Sequence, residues 1–197
     1  KVEVWRTLAG SELATEIASR VSELGSDRRL IVIGNPTVVT TEGEVPGYFG
    51  AAAYAGYRSG VVAHQPLTRS TLTGIIGAGT LIDSLNSDQL DTIAGSGGFL
   101  FVRDDITQTL YIRDAITTDN SDEAQFDEMF GSNFDDVSYG LSQVLENFIG
   151  RTNVTANTLL NIRNALDSKA RELSGNDLPD LGPQVIEYTI VSVLADA

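Results

Sequence analysis

Few residues of this chain could do chemistry, and the most suggestive is Ser96 in the run Ala94–Gly98, which has the composition of a relaxed nucleophile elbow. A true elbow places the serine between a strand and a following helix, with the histidine last in chain order. Here a predicted helix precedes Ser96 and a predicted strand follows it. The only histidine, His64, lies upstream. A glycine-rich turn from helix to strand is therefore the better interpretation.

Motifs for ligands and metals are also incomplete. The glycines of Gly74–Gly79 have the spacing G-x-x-G-x-G, which is not the dinucleotide fingerprint. Asp119–Glu123 has the look of a calcium loop, but Ala124 and Phe130 occupy the positions that need a glycine and a carboxylate. One histidine and no cysteine exclude thiolate and multi-histidine metal sites. We therefore expect no cofactor, no metal and no enzymatic activity.

The length and composition fit one folded domain of ordinary size, or one domain with a small appendage. The chain has 197 residues, of which 42% are hydrophobic, and a formal net charge of −14. Such a charge argues against nucleic-acid binding, because phosphate neutralisation needs clustered basic residues. It fits either a solvated acidic surface or one acidic wall of an assembly. No apolar stretch is long enough to predict insertion into a membrane.

The elements that must position these residues predict a mixed α/β fold: a short sheet with packed helices and an additional β-hairpin. The first predicted helix begins at the N-cap Ser11. The run 30–33 predicts a buried strand, and segment 37–47 predicts a loop because Thr, Gly and Pro occur throughout. The apolar face of the first helix is formed by Leu13, Ile17, Val21 and Leu24.

A helix of unusually small residues is predicted to begin near Pro46 and to end before Pro66. Its centre, Gly50–Arg58, contains three consecutive alanines flanked by glycines. Glycine lowers helix stability, so we expect such a helix to be buried tightly against a neighbouring backbone.

The second half of the chain predicts a hairpin of 99–102 with 109–112. A helix with an acidic start at 119–122 is predicted to break at 131–133 and then to resume. A further helix follows Gly150, and its apolar face is formed by Leu159, Ile162, Leu166 and Leu173.

Taken in order, these segments resemble the sheath proteins of contractile tails, the family of myophage tail and R-type bacteriocin sheaths. The resemblance extends from about Arg28 to Val193. One departure is Asn133-Phe134, where family members often carry an arginine. The segments that carry the resemblance are the alanine-rich helix leading into His64-Gln65-Pro66, the hairpin ending in Ile116-Thr117-Thr118, Asp135-Asp136, and Phe148–Asn153.

The resemblance implies a structural subunit that polymerises around a tail tube and contracts to drive it through a host envelope. The implied partners are further copies in a helical homo-polymer, the tail tube protein, and the baseplate and tail terminator proteins. The implied location is the virion tail sheath, assembled in the host cytoplasm, with a role in genome ejection. The alternatives are a non-contractile tail-associated adaptor and a cytoplasmic α/β ligand-binding domain.

We expect residues 1–197 to form a single sheath core domain. The sheath resemblance implies an N-terminal arm, an outer region and a last C-terminal strand, and we expect this chain to lack them. Because the chain opens at Lys1 and its only methionine is Met129, we also expect that it is not a complete translated product. The sheath resemblance leads us to expect an inter-subunit strand within 185–194, at Val185, Glu187, Tyr188, Thr189 and Val191.

Four basic residues in and before the last helix are candidate tube-facing contacts, since they form a local basic cluster on an acidic chain. A charged face that balances a helix C-terminus is the alternative. The four residues are Arg151, Arg163, Lys169 and Arg171.

Overall fold

The computed structural model describes residues 8–121, 126–151, 153 and 155–175, and the chain divides into two compact units after Gly131. Most elements belong to the first unit, and one long helix begins in it. The helices of the first unit are α1 (Gly10–Ser22), α2 (Tyr48–Ser59), α3 (Thr80–Asp83) and α4 (Ser87–Gly95). Its strands are β1 (Val32–Ile33), β2 (Thr37–Thr40), β3 (Gly43–Pro46), β4 (Gly98–Phe99), β5 (Phe101–Arg103) and β6 (Leu110–Ile112).

The second unit begins inside the long helix. That helix is α5 (Glu128–Glu146), and α6 (Ala156–Gly175) follows it. The fold is therefore the mixed α/β arrangement that the sequence predicts, with short sheets and packed helices.

Helix α1 presents one apolar face to the core of the first unit. Leu13, Ile17 and Val21 recur every four residues and are buried, so they align on one side of the helix. Two details of the prediction are wrong. The N-cap is Ala9, not Ser11, and Leu24 lies beyond the last helical residue with 59% of its surface exposed.

The sheets of the described residues are three strand pairs. β1 runs parallel to β4, with Val32 opposite Gly98. The predicted hairpin is confirmed as β5 with β6, which are antiparallel with Phe101 opposite Ile112. Phe99 belongs to β4, so the predicted first strand of that hairpin is split between two sheets.

Segment 37–47 is not a loop, because β2 and β3 form an antiparallel hairpin within it. Thr37 pairs with Pro46, and Thr40 pairs with Gly43 across a two-residue turn. Gly43 has a φ of +114°, a backbone conformation that favours glycine. Glycine and proline predict a loop here, whereas the β-branched residues of β2 favour a strand.

A buried asparagine joins several of these elements. The side-chain amide of Asn35 donates to the carbonyls of Ala78 and Phe101 at 2.8 and 2.9 Å, and its oxygen accepts from the Phe101 N–H at 2.9 Å. All of the side chain's donors and one of its acceptor sites are thus used inside the core, where unpaired polar groups would be costly. Phe99 and Phe101 pack beside it, with their ring centroids 5.4 Å apart.

The helical predictions for the second half need two corrections. Asp119 and Ser121 are not helical, and α5 begins at Glu128; residues 122–125 lie outside the described residues. The predicted break at 131–133 is absent, because α5 runs unbroken through Gly131. The loop 175–182 and the strand 185–194 also lie outside the described residues, apart from the end of α6.

Candidate assembly surfaces

Ser96 lies in a structural turn. It directly follows α4, and its hydroxyl donates to the carbonyl of Ile93 at 2.7 Å. The next residue, Gly97, has a φ of +88°, and a Cβ there would lie 2.7 Å from the Cα of Thr118. Thr117 and Thr118 are buried, so the turn needs glycine in order to pack against them. The predicted helix-to-strand turn is confirmed.

A cleft of about 590 Å³ opens between the α3–α4 segment and the β5–β6 hairpin. Its arginines already have acidic neighbours: Arg103 lies 3.9 Å from Asp83, and Arg113 contacts Asp91. In the described parts of the chain, no three acidic or histidine side chains converge as metal ligands would. No described helix has the length and hydropathy needed to cross a membrane.

A buried ion pair fixes α2 to the first turn of α5 within the first unit. The Nε atom of Arg58 lies 2.7 Å from Oε1 of Glu128, with side-chain exposures of 14% and 4%. Tyr54, one helical turn before Arg58, is buried beside this pair. Burial, and then the negative charge of Glu128, raise the pKa of Tyr54 above its usual range. The sequence signal for this pair is that Arg58 is the only charged residue of α2.

The predicted tight burial of the small-residue helix is wrong, and its end is also earlier than predicted. α2 ends at Ser59 and not near Pro66, and Ala51, Ala52 and Ala55 are exposed. Only Gly50 and Tyr54 of the helix are buried. These three alanines lie on the outer side of the helix, and Tyr54, Tyr57 and Arg58 occupy the inner side.

The exposed side of α2 also carries two aromatic residues. Tyr48 and Phe49 are 67% and 45% exposed, and their rings stack with centroids 4.6 Å apart. Since Arg58 points to Glu128, this side of the helix presents no charge, although the chain as a whole has a net charge of −14. An uncharged surface with aromatic side chains is typical of protein–protein contacts.

The candidate tube-facing residues are separated around α6. Arg163 and Arg171 are exposed, and Asp167 lies between them on the helix surface and accepts from Arg171 at 2.9 Å. Lys169 is on another side, 2.9 Å from Glu172, and its stem lies against Gly140 of α5. Three basic and two acidic residues leave α6 with a net charge of +1.

Arg151 is exposed and precedes α6. It follows the left-handed Gly150, whose φ is +69°. The tube-facing role of these four residues stays a prediction. The candidate inter-subunit strand at 185–191 lies outside the described residues.

Comparison with solved structures identifies the class of fold. A sheath tail protein from Desulfitobacterium hafniense superposes with a TM-score of 0.66 and 16% identity, covering 77% of this chain and 36% of that one. A sheath tail protein from Listeria innocua gives a TM-score of 0.58 and 15% identity, covering 85% and 44%. No protein-family model and no curated protein matches the sequence.

A third similar structure is the cryo-EM structure of the anti-feeding prophage baseplate. Its TM-score is 0.62 at 15% identity, over 77% of this chain and 41% of that one. The chain thus has the fold of tail sheath proteins, as the resemblance implies. It spans less than half the length of each of these three structures.

Proposed function

We propose that this chain is a structural subunit of a contractile tail sheath, and that it acts in assembly and not as an enzyme. The observation that carries the proposal is the shared fold with two sheath tail proteins, at TM-scores of 0.66 and 0.58 despite identities of 16% and 15%. Identities this low show a likeness of fold, so the structural role comes to this chain as part of the proposal.

The surface of the first unit supports an assembly role. The outer side of α2 is uncharged and carries the exposed pair Tyr48 and Phe49. Exposed apolar surface has a hydration cost that contact with another protein removes. In a sheath, many copies surround a tail tube, and each copy passes between two packings as a rigid unit.

In the proposed assembly the partners are further copies, the tail tube protein, and baseplate and terminator components of a virion or phage-like tail. Polymerisation of these copies around the tube is part of the proposal. A second candidate function is that of a tail-associated adaptor without a contractile role. The observation in its favour is the similarity to the baseplate structure.

Tube attachment can be tested by sedimenting the chain with purified tail tubes from the same source. We expect the chain to pellet with the tubes, and we expect the paired substitution Arg163→Glu with Arg151→Glu to weaken co-sedimentation more than tenfold. The matched control is Arg29→Glu with Arg69→Glu, which changes the same charge on exposed residues of the first unit. Equal pelleting of both double variants and the unsubstituted chain would reject the tube-facing assignment. No pelleting of the unsubstituted chain would favour the adaptor.

A further inference from the structure

The turn between β5 and β6 holds an isoleucine out in solvent. Ile106 is 92% exposed, the highest exposure of any large apolar residue in the described chain. Asp105 and Thr107 beside it are exposed as well. An isoleucine in such a place gives nothing to the core of its own chain, and its exposure to water carries a hydration cost.

The turn that carries Ile106 is held by hydrogen bonds. Oδ1 of Asp104 accepts from the N–H groups of Ile106 and Thr107, at 3.0 and 2.7 Å. The N–H of Gln108 donates to the carbonyl of Asp104 at 2.9 Å, and Gln108 has a φ of +56°. A turn that is ordered in this way loses little conformational entropy on binding, so it is preorganised for contact.

The same unit has an apolar groove between α1 and the segment from β1 to Pro36. Its volume is about 190 Å³. An apolar cavity of about 150 Å³ accommodates a benzene molecule, so the groove has room for the four carbons of an isoleucine side chain. The apolar side chains that line it are Ile17, Val21, Leu24, Val32 and Ile33.

We propose that Ile106 of one copy inserts into the α1–β1 groove of a second copy. The two surfaces match in size and in chemistry, and Ile106 does not fill the groove of its own chain because it is 92% exposed. A contact between two different surfaces of one chain is heterologous, and when its rotation does not close it generates an open helical filament. The inference rests on the proposed function in that a sheath brings many copies together.

The charges at the edge of the groove are compatible with this contact. Arg20 lines the groove, and Asp105 lies next to Ile106 in the turn. Arg20 now contacts Glu16 and Glu23, at 3.0 and 3.2 Å, on an exposed helix surface. Such exposed pairs contribute about 0–1 kcal/mol, so Arg20 can exchange one of them for Asp105 of the incoming turn.

Cysteine cross-linking tests the contact directly, because the chain contains no cysteine. The chain with Ile106→Cys is mixed with the chain carrying Leu24→Cys and oxidised. A disulfide forms when the two Cα atoms come within about 7 Å, so we expect the mixed dimer to exceed each symmetric dimer at least fivefold. Both positions are exposed, 92% and 59%, so neither substitution removes a core side chain.

In the matched control, the chain with Leu24→Cys is mixed with a chain carrying Ile149→Cys in place of Ile106→Cys. Ile149 is likewise an exposed isoleucine, with 72% of its surface accessible. A mixed dimer that does not exceed this control, or symmetric Ile106→Cys dimers in excess, would overturn the proposed contact. In a chain carrying both Ile106→Cys and Leu24→Cys, we expect a ladder of multimers on a denaturing gel without reductant.

Electron microscopy of the same samples separates this inference from the proposed function. Regular rods without the mixed cross-link would leave the sheath assignment standing and reject the Ile106 contact. The mixed cross-link without rods, in the presence of tail tubes, would support the contact and reject the sheath assignment.

Discussion

The first unit and the described part of the second unit differ in how their apolar residues are covered. In the first unit, Phe99, Phe101 and Ile112 are completely buried. In the described part of the second unit, Leu173 is the only large apolar residue that is buried, whereas Phe134 and Ile149 are 63% and 72% exposed. The first unit therefore has a core of its own, whereas the described helices of the second unit leave large apolar side chains exposed.

The two units also differ in where their paired polar and charged side chains lie. In the first unit, Asn35 and Glu128 are buried and have specific partners. In α6, the ion pairs of Arg171 with Asp167 and of Lys169 with Glu172 lie within one helix and are partly exposed. Buried polar pairs fix one arrangement of the chain, whereas exposed pairs contribute little and exchange readily.

The largest effect is expected from Phe99→Ala. Phe99 is completely buried, with its ring centroid 4.5 Å from that of Tyr54. Loss of the ring should lower the free energy of unfolding by about 3–5 kcal/mol, through lost transfer energy and a cavity. Urea denaturation measures this loss, and Phe134→Ala is the control because Phe134 is exposed. Equal losses for the two variants would refute the contrast between the units.

The second-largest loss of stability is expected from Glu128→Gln. It leaves Arg58 buried without its 2.7 Å carboxylate partner, which should lower the free energy of unfolding by about 3 kcal/mol. Glu172→Gln removes the carboxylate that pairs with Lys169 on the surface of α6. It should change the free energy of unfolding by about 0.5 kcal/mol at most. Both values come from denaturant titrations at neutral pH. A small loss for Glu128→Gln would mean that the ion pair does not fix α2 to α5.

The smallest effect distinguishes the two sides of α2. A Cβ at Gly50 would lie 3.0 Å from the Phe101 ring, whereas one at Gly56 would meet no atom within 4 Å. Gly56→Ala should therefore stabilise the isolated chain by about 0.5–1 kcal/mol, and Gly50→Ala should destabilise it. Thermal unfolding measures both. Destabilisation by Gly56→Ala would contradict the exposed placement of that side.

Helices and strands whose apolar residues recur at a regular spacing were predictable from the sequence. The spacing of Leu13, Ile17 and Val21 predicted α1, and the apolar runs around Phe101 and Leu110 predicted the β5–β6 hairpin. In the last helix, the predicted face is confirmed in that Leu173 is buried and Leu159, Ile162 and Leu166 are partly buried. Local periodicity reports which side of an element is covered.

Contacts between residues distant in sequence were not predictable. Nothing local to Arg58 indicates that Glu128, seventy positions later, is its partner. The small residues of α2 were expected inside, because composition shows that a close approach is possible and not which side makes it. At Gly131–Asn133 the sequence suggests a break, but α5 continues through them, with a Cβ at Gly131 placed 3.1 Å from the Arg28 carbonyl. Tertiary packing there outweighs helix propensity.

Negative-stain electron microscopy of the chain with purified tail tubes tests the sheath assignment most directly. The account predicts tubes covered by regular, striated rods of added protein, and bare tubes when the chain is left out. The sheath assignment would be contradicted if the tubes remained bare beside dispersed particles of the chain. This result would have to hold at chain concentrations well above those used for the cross-linking.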